Sequence, residues 1–467
     1  MEVRVAIKRL GKSFVSTEKQ FSRRDFIKVV GIAGTAGAVL AACGATPEPT
    51  SVPEPKPTPA PVVVGKPFAG KTVRMLAVSD ARSDELDKFI LAWEQETGAT
   101  VEFVSEGNEL ETDKRLLQDF GDGTVDYDVC WDHSSFFPKY VKANGLEPLD
   151  DYFSQDELSD FIPSLINAGR KEGKLWLIPS HYDISCLHWR TDLLTEDQVP
   201  ETWDDFKALA IQITKDNTGI FGTQFSGREE ALSGRFYEVL LAEGGQLLDD
   251  DWMPVFNTPH GVKAATMFAE LYAAGAMPPG MLDLSWEDLG LQWMRGIIGM
   301  YTEWYGWYGY FQDPEASKVA GKFELARQPK GDGNMHSGWA GCHGFSITTA
   351  SEEKEMAASL IKYLTGVESS RIAGAQSYLV SRQSVWAELI ARAEASDNVG
   401  EKKRLELALL QAQEDFRTPP LIAEWLQISN LLFPVLQQII LGDVEPQKGL
   451  DDAAEQVRAM MSKAGYY

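Results

Sequence analysis

The side chains best suited to binding chemistry are concentrated at positions 304–311, where six of eight residues are aromatic. Trp304 and Trp307 are the largest of them, and Gly306 and Gly309 interrupt the run. Aromatic residues at helical spacing are typical of a hydrophobic core, but adjacent rings and two glycines exceed what one buried helix face accepts. We therefore expect some of these rings to face a cleft and stack on the apolar faces of a small ligand.

The elements that would position polar groups around such a ligand are predicted nearer the N-terminus. Short apolar runs predict strands at 72–78, 100–104 and 127–131, and amphipathic runs between them predict helices. This βαβαβ alternation indicates an α/β lobe with a mostly parallel sheet. Ligands of such sheets lie beyond the carboxyl ends of the strands, which places residues 79–82 and 132–135 near the expected cleft.

Several other motifs have structural explanations. Three histidines have no metal-binding spacing with a carboxylate: His133, His181 and His188. The acidic run 249–251 lacks the alternating ligands of a calcium loop, so a solvated hairpin turn is expected there. Thr202 and Asp205 have the spacing of a capping-box variant and predict a helix start. We find none of the common nucleophile, zinc-protease or phosphate-loop motifs.

The N-terminal region has the pattern of an export signal. Arg23 and Arg24 form a twin-arginine pair, and the uncharged apolar run 29–42 is too short to span a bilayer. It ends at Leu-Ala-Ala-Cys, which resembles a lipobox and implies cleavage before Cys43 and lipidation of its thiol. The proline-rich run 47–61 then predicts an extended linker between the membrane and the folded part.

The composition of the chain limits its possible partners, its cysteine chemistry and the number of its lobes. The chain of 467 residues carries 44 basic and 69 acidic side chains, a net charge of −25, which argues against nucleic acid as a partner. Besides Cys43, the chain has three scattered cysteines, Cys130, Cys186 and Cys342, which form neither a disulfide framework nor a metal motif. About 400 residues follow the linker, too many for a single core, so two lobes are expected.

At this point the sequence resembles a known family. Six short motifs occur in the order found in the extracellular solute-binding proteins of ABC sugar importers, family 1, which includes the maltose-binding proteins. They lie at 128–131 with 145–152, 173–179 with 187–194, 200–206, 244–245 with 256–257, 299–300 and 450–455. The resemblance implies an α/β fold of two lobes, the type II-like periplasmic-binding-protein fold, with a hinge between the lobes and the ligand in the interlobe cleft.

The resemblance also implies how the chain is divided. The N-terminal lobe is expected to comprise 66–180 and 325–378, and the C-terminal lobe 181–324 and 379–467. The signal peptide is expected at 1–42, and the lipidated cysteine and linker at 43–65.

Ligand contacts can be carried over to the positions that match the family pattern. These are Asp80, Arg82, Trp131, Asp132, His181, Tyr182, Asp183, Arg235, Tyr237, Trp304, Trp307 and Trp339. Trp304 and Trp307 are alternatives for one stacking position, because the run after Met300 is out of register with the family by about one residue.

The function that the resemblance implies is capture of a mono- or oligosaccharide and its delivery to the transmembrane permease subunits of an ABC importer. The protein is then expected to be a monomer without catalytic activity, cofactor or metal. Its lipid on Cys43 would hold it at the outer face of the cytoplasmic membrane or in a periplasm. An exported carbohydrate-active hydrolase, or a binding protein for a non-sugar solute, remains the alternative.

Overall fold

The computed structural model describes residues 65–78, 81–284 and 286–467, and the side chains of these except at 81–87 and 105–106. Its first elements alternate as predicted: β1 (Thr72–Val78), α1 (Ala81–Thr97), β2 (Thr100–Glu106), α2 (Glu109–Asp122) and β3 (Val129–His133). β1 pairs in parallel with both β2 and β3. The third strand begins two residues later than predicted, because the carboxylate of Asp128, rather than a backbone carbonyl, accepts from the backbone N–H of Arg74 at 2.8 Å.

The remaining elements are mostly helices placed around two long strands. In chain order they are α3 (Phe137–Lys142), α4 (Gln155–Leu158), α5 (Pro163–Ala168), β4 (Arg170–Lys171), β5 (Lys174–Leu175), β6 (Ile178–Arg190), α6 (Trp203–Asp216), α7 (Glu229–Ala242), α8 (Pro259–Ala273), α9 (Trp286–Met294), β7 (Met300–Trp304), α10 (Tyr308–Phe311), β8 (Phe323–Ala326), β9 (Gly338–Ile347), α11 (Lys354–Leu364), α12 (Val367–Ala375), α13 (Gln383–Ala395), α14 (Val399–Glu414), β10 (Phe416–Arg417), α15 (Trp425–Leu441) and α16 (Pro446–Lys463). Short 3₁₀ turns lie at Glu196–Gln198, Met281–Asp283 and Tyr305–Trp307.

Eight strands form one mixed sheet in the order β2-β1-β3-β9-β6-β7, with β8 paired to β6 and β10 paired to β9, while β4 and β5 form a separate antiparallel pair. The expected parallel arrangement therefore holds for β1 to β3, whereas β9 runs antiparallel to both β3 and β6. β6 and β9 are the longest strands, with 13 and 10 residues. Each continues from the region of β1–β3 to the region of β7 and β8.

The hydrophobic core is divided along these two strands. A first core packs around β1–β3 and includes Ile178 of β6 and Phe345 of β9. A second core is formed mainly by α6, α7, α8, α15 and α16, and includes Leu187 of β6. A third lies between them and includes Ile184 and Cys342. The fold is thus of the expected two-lobed α/β class, while the exact residue bounds of the two lobes stay a prediction.

Two predicted local structures are confirmed. The Thr202 hydroxyl accepts a hydrogen bond from the Asp205 backbone N–H at 3.1 Å and caps α6. In the acidic run, the Asp249 carboxylate accepts from the backbone N–H groups of Asp251 and Met253, and Leu248 pairs with Pro254 across the turn.

The predicted signal residues Arg23 and Arg24, the lipidation site Cys43 and the proline-rich linker lie outside the described residues. Within the described ranges, no helix combines the length and the apolar character needed to cross a bilayer. Cys130, Cys186 and Cys342 are buried free thiols, in agreement with the absence of a disulfide pattern.

Candidate ligand-binding site

One face of the sheet carries most of the polar and aromatic groups where the two lobes join. Across β6 and its neighbours, Ser185 lies opposite Trp304, Asp183 opposite Gly341, and His181 opposite His343. Directly opposed residues of antiparallel strands project to the same side, as do residues two apart along a strand. Among the residues that share this side, we call seven at the junction of the lobes the binding face: His133, His181, Asp183, Trp304, Trp339, Gly341 and His343.

The opposite side of the same strands is hydrophobic core. Tyr182, Ile184 and Cys342 are buried there. Tyr182 was predicted to contact ligand, but its hydroxyl donates to the carbonyl of Ala408 at 3.1 Å and its ring packs 6.0 Å from that of Phe416. Because the side-chain direction alternates along β6, Tyr182 supports the binding face from behind, while His181 and Asp183 belong to it.

Three tryptophans meet at the second-lobe end of the binding face. The ring centroids of Trp304 and Trp339 are 4.9 Å apart, and Trp286, at the start of α9, lies 5.7 Å from each. Trp286 and Trp304 are half-buried and Trp339 is buried. The Trp339 ring lies on α7 at Gly234, where an added Cβ would come within 2.2 Å of it. We call Trp286, Trp304 and Trp339 the tryptophan cluster.

Arg235 of α7 stands at the centre of this cluster. Its guanidinium carbon lies 5.2, 5.6 and 5.8 Å from the ring centroids of Trp304, Trp339 and Trp286, respectively, within the range of cation–π attraction. The side chain is only 1% exposed. The predicted role of Arg235 as a hydroxyl donor is untested, but its position indicates that it holds the rings in place.

Two buried carboxylates balance the charge of Arg235. Glu238 lies one helical turn further along α7 at 2.8 Å from the guanidinium, and Glu303 of β7 lies at 3.6 Å. Glu238 also accepts hydrogen bonds from the Ser185 hydroxyl and, at 3.3 Å, from the Trp339 backbone N–H. Burial raises the pKa of Glu303 to about 7, despite the opposing effect of Arg235.

Asp183 lies midway along the binding face. Its Oδ1 accepts hydrogen bonds from the backbone N–H groups of Ile184 at 3.0 Å and Gly306 at 3.4 Å. The neighbouring position on β9 is Gly341, and the His133 ring lies over it: a Cβ at position 341 would come within 2.4 Å of His133 Nε2. The half-buried carboxylate of Asp183 is well placed to accept hydrogen bonds from the hydroxyls of a ligand.

Three imidazoles occupy the first-lobe end of the binding face. His133 of β3, His343 of β9 and His181 of β6 lie side by side on adjacent strands, with ring centroids 4.7 and 4.6 Å apart. Glu109, at the start of α2, approaches Nδ1 of His343 to 3.4 Å. We call these three side chains the histidine row. Within the described part of the chain, no set of side chains is arranged to hold a metal ion.

Trp131 and Asp132 precede His133 on β3 and are both buried. Trp131 shares the side of the strand that carries His133, and its ring is 6.4 Å from that of His133 and nearly parallel to it. Asp132 projects to the opposite side, where it accepts from the His133 backbone N–H at 2.7 Å and lies 2.7 Å from the Ser346 hydroxyl, and burial raises its pKa to about 8. Asp132 therefore supports His133 from behind, while Trp131 packs beside it.

Two further predicted rings pack away from the tryptophan cluster. Tyr237 is buried, and its hydroxyl donates to the carbonyl of Thr418 at 3.0 Å. Trp307 stacks on Phe311, with centroids 6.0 Å apart and planes 13° from parallel. Asp80 lies outside the described residues, and Arg82 lies in α1 with its side chain outside them.

Part of the site was not predicted from the sequence. His133 was considered only as a metal ligand, and four residues were not predicted to belong to the site: Trp286, Glu238, Glu303 and His343. The spacing of Arg235 and Glu238 is a signal for an ion pair within one helix. His343 had no such signal, because its neighbours depend on the register between distant strands.

The fold and this face together define the class: a two-lobed α/β protein with a polar and aromatic face where its lobes join. The sequence profile of the bacterial extracellular solute-binding protein family matches residues 79–370, more than half of the chain. The chain therefore belongs to that family.

Individual relatives are distant. A "Probable ABC transporter-binding protein" of Deinococcus radiodurans is 27% identical over 300 residues, 62% of this chain and 70% of its own length. The galactooligosaccharide-binding protein of Bacillus subtilis is 23% identical over 66% of this chain and 72% of its own length. The structure of maltose-bound MalE3 from T. maritima has a TM-score of 0.71 and 22% identity, and the match covers 83% of this chain and 99% of that one.

Proposed function

We propose that this protein is the substrate-binding lipoprotein of an ABC importer and captures a mono- or oligosaccharide for delivery to the importer's permease. The observation that carries the proposal is the placement of Trp304 and Asp183 on one sheet face at the junction of the lobes. An aromatic ring can stack on the C–H face of a sugar while a carboxylate accepts hydrogen bonds from its hydroxyls. The sugars and polyols named for relatives, among them galactooligosaccharide and mannitol, support the same class.

The electrostatics of the site favour an uncharged ligand. Among the described side chains, the cation at the tryptophan cluster is Arg235, which is already matched by Glu238 and Glu303 and is almost fully buried. A ligand carboxylate or phosphate at the cluster would meet two buried glutamates without a compensating charge. A neutral hydroxylated ligand adds no charge to the site and can satisfy its polar groups with hydrogen bonds.

The same face argues against the hydrolase alternative. Glycoside hydrolysis ordinarily uses two carboxyl groups on either side of the scissile bond. Among the described residues of the binding face, Asp183 is the carboxylate present, while Glu238 and Glu303 are buried against Arg235. Binding without catalysis agrees with the family and with the binding proteins named among the relatives.

The proposal also includes the anchoring of the protein to the membrane and the delivery of its ligand to the permease. Processing before Cys43 would leave a lipidated cysteine, and residues 44–65 would link it to the folded part that faces the permease. Closure of the lobes by hinge bending would present the loaded form to the permease. Mass spectrometry of the native protein tests the anchor: loss of residues 1–42 and an acylated Cys43 are expected, and a product that begins elsewhere would contradict it.

A thermal-shift screen tests the ligand class. The panel contains neutral mono- and oligosaccharides, polyols, acidic sugars and amino acids. A ligand that binds only the folded state adds about 2.7 kcal/mol of stability at a concentration of 100 Kd. We expect neutral sugars to raise Tm, Trp304→Ala to lose the shift, and Trp252→Ala, a partly exposed tryptophan on the acidic turn, to retain it. Shifts with acidic sugars or amino acids alone would overturn the proposal.

A further inference from the structure

We propose that residues 421–426 form an interlobe strap, which reaches from the second core to the first and holds the lobes together over the binding face. The contact that we assign as its fastening is the ion pair between Lys142 of α3 and Glu424. The inference rests on the proposed function, because it concerns how firmly the same site retains its ligand.

The strap packs against both cores. Trp425, at the start of α15, is buried in the second core, and its indole N–H donates to the Glu230 carboxylate of α7. Leu421 packs against the first core, and Leu426 packs against both. The strap is therefore a connection between the lobes in addition to β6 and β9.

Two lysines of the first lobe bind the strap. Lys142 is the last residue of α3, a helix that packs in the first core, and its ammonium pairs with the Glu424 carboxylate. Lys171 of β4 donates to the Leu421 carbonyl at 3.1 Å. Both contacts join side chains of the first lobe to acceptors on the strap, so both must break if the strap moves away with the second lobe.

Glu424 is held from the side of the second lobe. Its carboxylate also accepts a hydrogen bond from the Tyr466 hydroxyl, and the Tyr466 ring packs against the second core. The Glu424 side chain is only 3% exposed, whereas that of Lys142 is 53% exposed. Lys142 thus reaches from the surface of one lobe to a buried carboxylate of the other.

On the first lobe, α3 flanks the binding face. The ring centroid of Phe136, directly before this helix, lies 5.3 Å from that of His133 in the histidine row. Lys139 Nζ lies 4.6 Å from the centroid of the Phe136 ring, and Lys142 follows Lys139 after three residues on α3. The helix end that binds the strap is therefore on the side of the sheet that carries the binding face.

On the second lobe, α7 flanks the same face. Gly234 lies against the Trp339 ring, and Glu230, four residues earlier, is on the same side of the helix. Burial raises the pKa of Glu230, and the charges of Lys139 and Asp113 act on it from the first lobe. The strap thus joins α3 to α7 across the binding face, where it opposes separation of the lobes.

The ion pair stabilises the closed form selectively. Opening separates Lys142 from Glu424 and gives water access to both charges. If Lys142 is replaced while the lobes stay closed, Glu424 remains buried without its cation, which is strongly unfavourable. Opening relieves that cost, so loss of the pair shifts the equilibrium toward the open form and lowers the apparent affinity in proportion.

Small-angle scattering of the ligand-free protein tests the strap directly. Lys142→Glu places a second carboxylate against Glu424 only when the lobes are together, and Lys142→Arg keeps the charge. Lys354→Glu is the matched control, because Lys354 pairs with Glu147 at 2.8 Å beside the first core alone. We expect a larger radius of gyration for Lys142→Glu, and wild-type values for Lys142→Arg and Lys354→Glu.

Calorimetric titration of the same four proteins with maltose, galactobiose and mannitol is the second measurement. We expect Lys142→Glu to weaken the affinity of a bound sugar about tenfold, because like charges would face each other only in the closed form. Stopped-flow tryptophan fluorescence should show that faster dissociation accounts for most of this loss. Lys142→Arg and Lys354→Glu should stay within about threefold of the wild type.

An unchanged radius of gyration in Lys142→Glu overturns the inference, even if its Tm falls, because the pair would then be an internal contact of a rigid protein. Equal changes in Lys142→Glu and Lys354→Glu overturn it as well, as does an unchanged affinity for a sugar that binds the wild type. If none of the three sugars binds the wild type, that failure counts against the proposed function, and the scattering result still decides the inference.

Discussion

The Asp183 carboxylate is held by the backbone of the turn that follows β7: its Oδ1 accepts a hydrogen bond from Gly306 N–H at 3.4 Å. A Cβ at position 306 would lie 2.7 Å from Asp183 Oδ2 and would push the carboxylate out of this position. A single carboxylate on β6 is thereby linked to the segment that carries Trp304 and Trp307.

Gly306→Ala should therefore weaken sugar binding by displacing the Asp183 carboxylate. We expect a loss of at least about tenfold, the cost of one charged hydrogen bond of about 1.5–3 kcal/mol. Gly309→Ala is the matched control in the same aromatic run, since nothing lies within 4 Å of a Cβ added there. Titration calorimetry on both variants gives the comparison, and equal affinities would refute the role of Asp183.

Trp304→Ala and Trp307→Ala should have different effects. Trp304 belongs to the tryptophan cluster on the binding face, so its loss should weaken binding by at least tenfold, about 1.4 kcal/mol. Trp307 stacks on buried Phe311, so its loss should lower Tm and leave affinity within about threefold. Calorimetric titration and thermal unfolding of each variant separate the two effects. The reverse pattern would make Trp307 the stacking ring.

Arg235→Met should destabilise the protein more at pH 8 than at pH 5. Removing the cation leaves Glu238 and Glu303 buried without a partner, and breaking a buried ion pair costs about 3–5 kcal/mol. Burial already raises the pKa of Glu303 to about 7, so acid neutralises this carboxylate and reduces the cost. Urea unfolding at both pH values measures the difference. A penalty independent of pH would contradict this view of the cluster.

Asp132→Asn should change how stability depends on pH. The Ser346 hydroxyl lies 2.7 Å from Asp132 Oδ2 and 2.8 Å from the Trp176 carbonyl, but it has one hydrogen to donate. A protonated Asp132 resolves this by donating to Ser346, in agreement with its pKa of about 8 against 3.8 when unperturbed. The folded state then holds a proton that the unfolded state releases, so this group lowers stability as pH rises from 4 to 8.

Asparagine mimics the neutral acid and cannot titrate. The stability of the wild type relative to Asp132→Asn should therefore fall steadily between pH 4 and pH 8, as measured by chemical unfolding in that range. Exposed Asp250→Asn is the control and should follow the wild type at every pH. A constant difference between the wild type and Asp132→Asn would mean that Asp132 is ionised in the folded protein.

Local patterns in the sequence predicted local structure well. β1 was predicted at its observed bounds, and the helix cap at Thr202 and the turn at Asp249 were both identified. Each depends on residues within a few positions of one another, whose side chains act directly on the nearby backbone. The start of β3 was misplaced by two residues, because the Asp128 carboxylate, rather than a backbone carbonyl, accepts from the backbone N–H of Arg74, 54 positions away.

The binding face could be predicted only in part for the same reason. Asp183, Trp304 and Trp339 were selected from family resemblance, but their common face depends on the register of β6 with β7 and β9. A shift of one residue would reverse the side of Tyr182 and Asp183. Trp286 and His343 lie in the site only because of such long-range contacts, and no spacing in the sequence indicates these contacts.

The most direct test of the central claim is a crystal structure with a neutral oligosaccharide selected by the thermal-shift screen. The account predicts one sugar unit against Trp304 and hydroxyls within hydrogen-bond distance of Asp183. A sugar bound elsewhere would contradict the account, for example in the cavity of about 300 Å³ lined by Arg327, Lys330, Asn334, Met335, His336, Glu414 and Asp415.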